Sequence, residues 1–139
     1  MKTQIRHSYI YNVVMSKKLG LDYSLKKFNN LKKKAKAFEK LHNKYVKEII
    51  KLIEKHTKRK KWNGDFIPIY LTETIIDNYS GFSDPLTLKI REPKKMLHTL
   101  VHELIHNNLD ASRQIKLGTD KNEELVSEIT KKVWKELKV

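Results

Sequence analysis

His102-Glu103-Leu104-Ile105-His106 is an HExxH segment, and its residue types are those of a metal centre with a base beside it. Residues four apart on a helix share a face, so both imidazoles can point at one ion while Glu103 stands next to the first. Neutral imidazole is a good zinc ligand, and a catalytic zinc takes three protein ligands plus a water. The surroundings strengthen this reading. The chain carries 30 Lys and Arg, yet none lies between Met96 and Ser112, and Glu103 is the only acid from Met96 to His106. Ionisable groups in an apolar helix cost desolvation energy that a packing role does not require. His98 extends the stripe four residues earlier; a tetrahedral site is already full without it, so it reads as a packed or supporting histidine.

The third ligand has to come from another element. Asp120 followed by Glu123 is a capping signature for a last helix over residues 120–137, with Leu125, Val126, Ile129, Val133, Trp134 and Leu137 inward. With Glu123 assigned to the cap, Glu124 is the expected metal ligand, and Glu128, four residues on, is placed to orient a ligand histidine from behind. Asp110, which continues the 102–106 stripe, and Glu128 itself are the competing ligands. In this scheme zinc lowers the pKa of its bound water to about 7. Glu103 takes the water proton and passes it to a leaving amine, as base and then acid. No residue stands out as a further oxyanion donor; a Tyr, Asn or Arg earlier in the chain would have to serve.

The elements that must position these groups point to an α+β fold in a single 139-residue domain. Residues 1–62 read as helical, 63–92 as a small sheet of about three strands, and 93–139 as the helices that carry the site. Ile5, Tyr9, Val13 and Leu19 suit a short helix closed by Gly20, although Tyr9 to Val14 could equally form a strand. Asp22 or Ser24 can cap a long amphipathic backing helix that ends near His56. Beyond Gly64 the period changes to two. Ile67, Ile69 and Leu71 alternate in a strand that Pro68 restricts to an edge or a bulge. Thr74 to Tyr79 suggests a second strand and Ser80 to Pro85 a turn. Leu86, Leu88 and Ile90 form the clearest strand, expected at the edge because its other face is polar. Pro93 opens a helix over about 93–109.

Composition narrows the chemistry. The chain has no cysteine, which excludes disulfides, thiolate zinc sites and a cysteine nucleophile. Met1 to Leu19 has no apolar run of signal-peptide length and no segment approaches membrane-spanning length, so a cytoplasmic location without a membrane partner is expected. The net charge of +14 is concentrated: 15 basic residues against Glu39, Glu48 and Glu54 between Lys26 and Lys61 leave that segment at +12. Such a stripe could meet nucleic acid or an acidic partner. No aromatic or Arg-rich readout pattern is interleaved with the lysines, which favours a solvated helix face over a nucleic-acid surface.

His102-Glu103-Leu104-Ile105-His106 followed by Glu124-Leu125-Val126-Ser127-Glu128 resembles the gluzincin metallopeptidase pattern, HExxH and then ExxS[DE] on a glutamate helix. The short chain with its long backing helix, small sheet and two site helices is similar in particular to the minigluzincins, minimal soluble peptidases. The resemblance implies a zinc metalloendopeptidase acting on peptides or unfolded proteins. It implies His102, His106 and Glu124 as zinc ligands, Glu103 as general base and acid, and Glu128 as the acid supporting a histidine. It also implies that the strand from Leu86 through Leu88 to Ile90 carries the substrate by edge addition, and latency through self-association or a chain terminus in the cleft. The chain departs from larger gluzincins in lacking a C-terminal subdomain with their Tyr and His electrophiles. The reading from a different class is a basic module that binds nucleic acid or an acidic partner, with a structural or vestigial zinc site.

Overall fold

Leu31, Ala35, Phe38, Ile49 and Ile53 are fully buried and recur at helical spacing, while the lysines between them face outward. This pattern produces one continuous helix from Leu25 to Thr57, whose first turn is capped by the Ser24 hydroxyl accepting from the Lys27 N–H. Its 33 residues extend about 50 Å at 1.5 Å per residue, enough to back the whole molecule. The computed structural model describes residues 1–75 and 79–139.

In chain order the described elements are β1 (Lys2–Arg6), α1 (Tyr9–Lys18), α2 (Leu25–Thr57), β2 (Phe66–Thr72), β3 (Gly81–Ser83), β4 (Leu86–Lys89), α3 (Pro93–Asn108), α4 (Ala111–Leu117) and α5 (Thr119–Leu137). The strands form one sheet in the order β1-β2-β4-β3, parallel except for β3, which runs antiparallel to β4. The fold is therefore α+β, with a four-stranded sheet rather than three, because the N-terminus contributes β1 instead of extending α1. Ile69, Leu71, Leu86 and Leu88 project from one face of the sheet into the core shared with α2, α3 and α5. Each such side chain contributes about 1.5–3 kcal/mol by leaving water. The opposite face is met by α1: Tyr11 stacks on Tyr70, with ring centroids 5.0 Å apart, and bonds to the Thr87 hydroxyl at 2.6 Å.

Three features differ from the sequence expectation. Pro68 lies in β2, which is flanked by β1 and β4, but pairing with β4 begins only at Tyr70 opposite Thr87, so no ladder bond on that side needs the missing N–H. The strand expected over Thr74 to Tyr79 falls partly outside the described residues, and Thr74, Ile75 and Tyr79 are not in a strand. The segment read as a turn contains β3, which takes the edge position expected of β4. Gly81 makes that possible, since a Cβ there would stand 2.7 Å from the Thr87 carbonyl oxygen and 3.0 Å from the Thr99 methyl. No described helix is long and apolar enough to cross a membrane.

Candidate metal centre

α3 presents two opposed faces. Leu97, Leu100, Val101, Leu104 and Ile105 are wholly buried against the core, while His98, His102 and His106 lie along the other side, facing a cleft of about 630 Å³. The helix end is held firmly. Arg59 donates to the Asn108 carbonyl at 2.8 Å, Asn108 donates back to the Arg59 carbonyl at 3.0 Å, and the Asn63 side chain donates to the Leu109 carbonyl. Asn107 donates to the Ser83 carbonyl at 2.8 Å, tying α3 to β3 directly beside the histidines. The backbone thus fixes where the HExxH side chains can reach.

The carboxylate that reaches them is Glu123, not Glu124. His102 Nε2 lies 3.0 Å from one Glu123 oxygen and His106 Nε2 lies 2.9 Å from the other. One donor atom from each of the three residues lies within 4.8 Å of the others, and the two imidazole rings stand 5.1 Å apart at 66°. Two imidazole nitrogens and one carboxylate make up the donor set of a catalytic zinc site with an open position. A tetrahedral ion with bonds of about 2.0–2.1 Å needs its ligand atoms about 3.4 Å apart, so the residues present fit zinc after small side-chain movements.

The reason for Glu123 is helical phase. α5 begins at Thr119 after Gly118, without a side-chain cap, so Glu123 is not engaged at the helix start as the capping signature predicted. Val126, Thr130 and Val133 bury one stripe of α5, and Glu123 lies about 60° from Val126 around the axis, against about 160° for Glu124, at 100° per residue. Glu124 and Glu128 instead border an outer depression with Ser127 and Lys131 that shares only Glu123 with the cleft, and neither of them lines the cleft with the histidines. Asp110 is occupied as the N-cap of α4, accepting from the Ser112 and Arg113 N–H groups.

Glu103 lines the same cleft and is only 9 % exposed. Burial pushes its carboxyl up to about 7; the His106 ring opposes that rise and Glu123 adds to it. Burial also holds His102 below the ordinary histidine value, with Glu123 pulling it back and His106 adding to the depression. His98 packs edge-on against Trp134 at 5.0 Å, and burial lowers its pKa too. It lines the cleft without joining the three-residue cluster.

The wall opposite α3 is β3, with Gly81, Phe82 and Ser83 lining the cleft alongside Tyr79 and Arg91. The strand that borders the cleft is therefore β3, and not the strand of the expected Leu86, Leu88 and Ile90. Leu86 and Leu88 are 2 % and 0 % exposed on an interior strand, and the Ile90 N–H is bonded to the Thr72 carbonyl. Two residues escaped the sequence reading altogether. Gln114, on α4, contacts His106 Nδ1 at 2.9 Å, and Asn122 donates to the same Gln114 oxygen. No protein-family model matches this chain, and no curated protein or solved structure is significantly similar to it.

Proposed function

We propose that this chain is a zinc-dependent peptidase in which His102, His106 and Glu123 hold the ion and Glu103 moves the proton. The observation that carries the reading is the convergence of two imidazole nitrogens and a carboxylate beside a buried glutamate, in a cleft walled by a sheet edge. When bound, zinc supplies Lewis acidity, lowering the pKa of water and polarising a carbonyl. Glu103, with its carboxyl raised to about 7, is suited to accept a proton from the attacking water and return it to the departing nitrogen near neutral pH. β3 orients an extended chain. Ser80 and Lys89 are hydrogen-bonded across the hairpin, so by alternation the Gly81 backbone groups point away from β4; Gly81 itself is buried, and the half-buried Phe82 and Ser83 give an extended chain its footing at the cleft. Tyr79 and Arg91 are the cleft residues with donors suited to a developing oxyanion.

The test compares wild type with Glu103→Gln on a quenched-fluorescence peptide library and an unfolded protein. Wild type is expected to cleave and to stop on chelation, while the variant keeps stoichiometric zinc and loses about 10²–10⁴-fold in rate. Equal cleavage by both proteins would sink the assignment of Glu103, and a wild type that binds no zinc would sink the metal centre.

One observation supports a second reading. Lys33, Lys40, Lys44, Lys47 and Lys51 lie on the exposed face of α2, and among the described residues Lys55 is the only α2 lysine in an ion pair. Such a ridge suits a polyanion such as nucleic acid or an acidic protein. Under that reading Glu103→Gln changes nothing, while charge reversal along α2 abolishes binding and its salt dependence.

A further inference from the structure

We infer that Gln114 is a positioning residue for the metal centre: its side-chain oxygen holds His106 in the tautomer that leaves Nε2 bare toward Glu123. The inference rests on the zinc reading above. The orientation of the Gln114 amide follows from its neighbours, because its Nε2 donates to the His106 carbonyl at 3.0 Å and to the Leu109 carbonyl at 3.2 Å. Carbonyl oxygens only accept, so the amide cannot be turned around without setting oxygen against oxygen. Gln114 Oε1 must therefore face His106 Nδ1, at 2.9 Å, and Nδ1 must carry the hydrogen. Asn122 donates to the same oxygen at 3.1 Å, which fixes it from the α5 side.

The consequence appears across the ring. With its proton on Nδ1, His106 presents a lone pair at Nε2 to Glu123 Oε1 only 2.9 Å away. Two electron-rich atoms at that distance require a proton or a cation between them, and a zinc ion answers the requirement for His106 and Glu123 together. A partner that fixes the tautomer and ring orientation of a ligand histidine raises metal affinity.

α4 also depends on this contact. It buries no residue of its own, and Ile115 is 81 % exposed, so the four hydrogen bonds of Gln114 are its principal tie to the site. The segment between the HExxH helix and α5 thus has a chemical role as well as a connecting one.

The test uses the full chain as Gln114→Ala and Gln114→Met, with Glu123→Ala as reference, and measures zinc affinity by competition with a chromophoric chelator. Gln114→Ala is expected to lose about 10- to 100-fold in affinity. Gln114→Met, which keeps the length and volume of the side chain but offers no comparable acceptor opposite Nδ1, is expected to be as weak as Gln114→Ala. ¹⁵N chemical shifts of zinc-free protein at pH 8 should show His106 protonated on Nδ1 in wild type and a mixture of tautomers in Gln114→Ala. Wild-type affinity in Gln114→Ala or in Gln114→Met overturns the inference, as does an Nε2–H tautomer in wild type. A weakened Glu123→Ala alongside an unaffected Gln114→Ala removes only this inference; failure of wild type to bind zinc removes the metal reading itself.

Discussion

Glu123→Ala and Glu124→Ala differ by one position in sequence and should differ by orders of magnitude in zinc affinity. Glu123 touches both imidazoles, whereas Glu124 points away from them. Structural zinc in four-ligand peptides contributes about 10–16 kcal/mol, so one ligand accounts for about 2.5–4 kcal/mol, or roughly 10²–10³-fold in affinity. Thermal unfolding reads this directly. Zinc at 100 times its dissociation constant stabilises the folded state by about 2.7 kcal/mol. For 139 residues, where 1 kcal/mol moves the melting temperature by roughly 3–5 °C, that is about 8–13 °C. At the same zinc concentration a 100-fold weaker Glu123→Ala retains about 0.4 kcal/mol, a shift of about 1–2 °C. Without zinc the variant should melt close to wild type, because Glu123 is half exposed and its ion pairs are worth at most about 1 kcal/mol. Glu124→Ala should show the full zinc-dependent shift. A lost shift in Glu124→Ala with a preserved one in Glu123→Ala would refute the assigned phase of α5.

Three further expectations concern the frame around the site. Gly81→Ala should cost about 1–3 kcal/mol in urea unfolding, since its Cβ would meet the Thr87 carbonyl and the Thr99 methyl; a change below about 0.5 kcal/mol would mean that β3 does not lie so close to α3. Leu88→Ala should cost about 2–5 kcal/mol and leave KM unchanged; a raised KM without loss of stability would return β4 to the substrate edge. Burial holds His42 below the ordinary histidine value of 6.5, against the opposing pull of Asn43 and Glu39, so the unfolded chain takes up the proton first as pH falls. Its contribution is therefore constant above about pH 6.5 and is lost as pH falls through the folded pKa. Zinc-free His42→Gln should show a shallower fall in melting temperature from pH 7 to 5 than wild type, and an identical slope would exclude the effect.

Periodicity was informative wherever one face of an element meets a large core. α2 could be read from Phe38, Ile49 and Ile53 because a helix of 33 residues repeats its pattern many times, and α3 from its apolar face together with Pro93. The sheet was less legible because three of its features depend on partners distant in sequence. Lys2 to Arg6 alternates only weakly, and β1 forms because β2 offers it a free edge. β3 has three residues, too few for any period to register, and its place depends on the missing side chain of Gly81. Leu86 and Leu88 looked like one face of an edge strand, but Thr87 is also buried, against Tyr11 from the far side of the sheet, so both faces of β4 are covered.

Which carboxylate of α5 meets the histidines sets a local motif against a longer-range one. Asp120 with Glu123 matches a capping signature over four residues, which would leave Glu124 as the carboxylate toward the histidines. The apolar stripe of Val126, Ile129, Val133 and Leu137 spans three turns, and extended backward it places Glu123 at the edge of the buried face. Tertiary burial outweighs a cap worth about 1 kcal/mol, so the stripe was the stronger signal, and it was present in the sequence. Gln114 is a different case. No motif spacing marks it, because its place beside His106 depends on Asp110 capping a short helix and on two backbone carbonyls turned toward one amide. The two imidazoles and Glu103 follow from the repeat of a single helix; the carboxylate beside them requires the phase of a second helix, and Gln114 requires the path of the chain between the two.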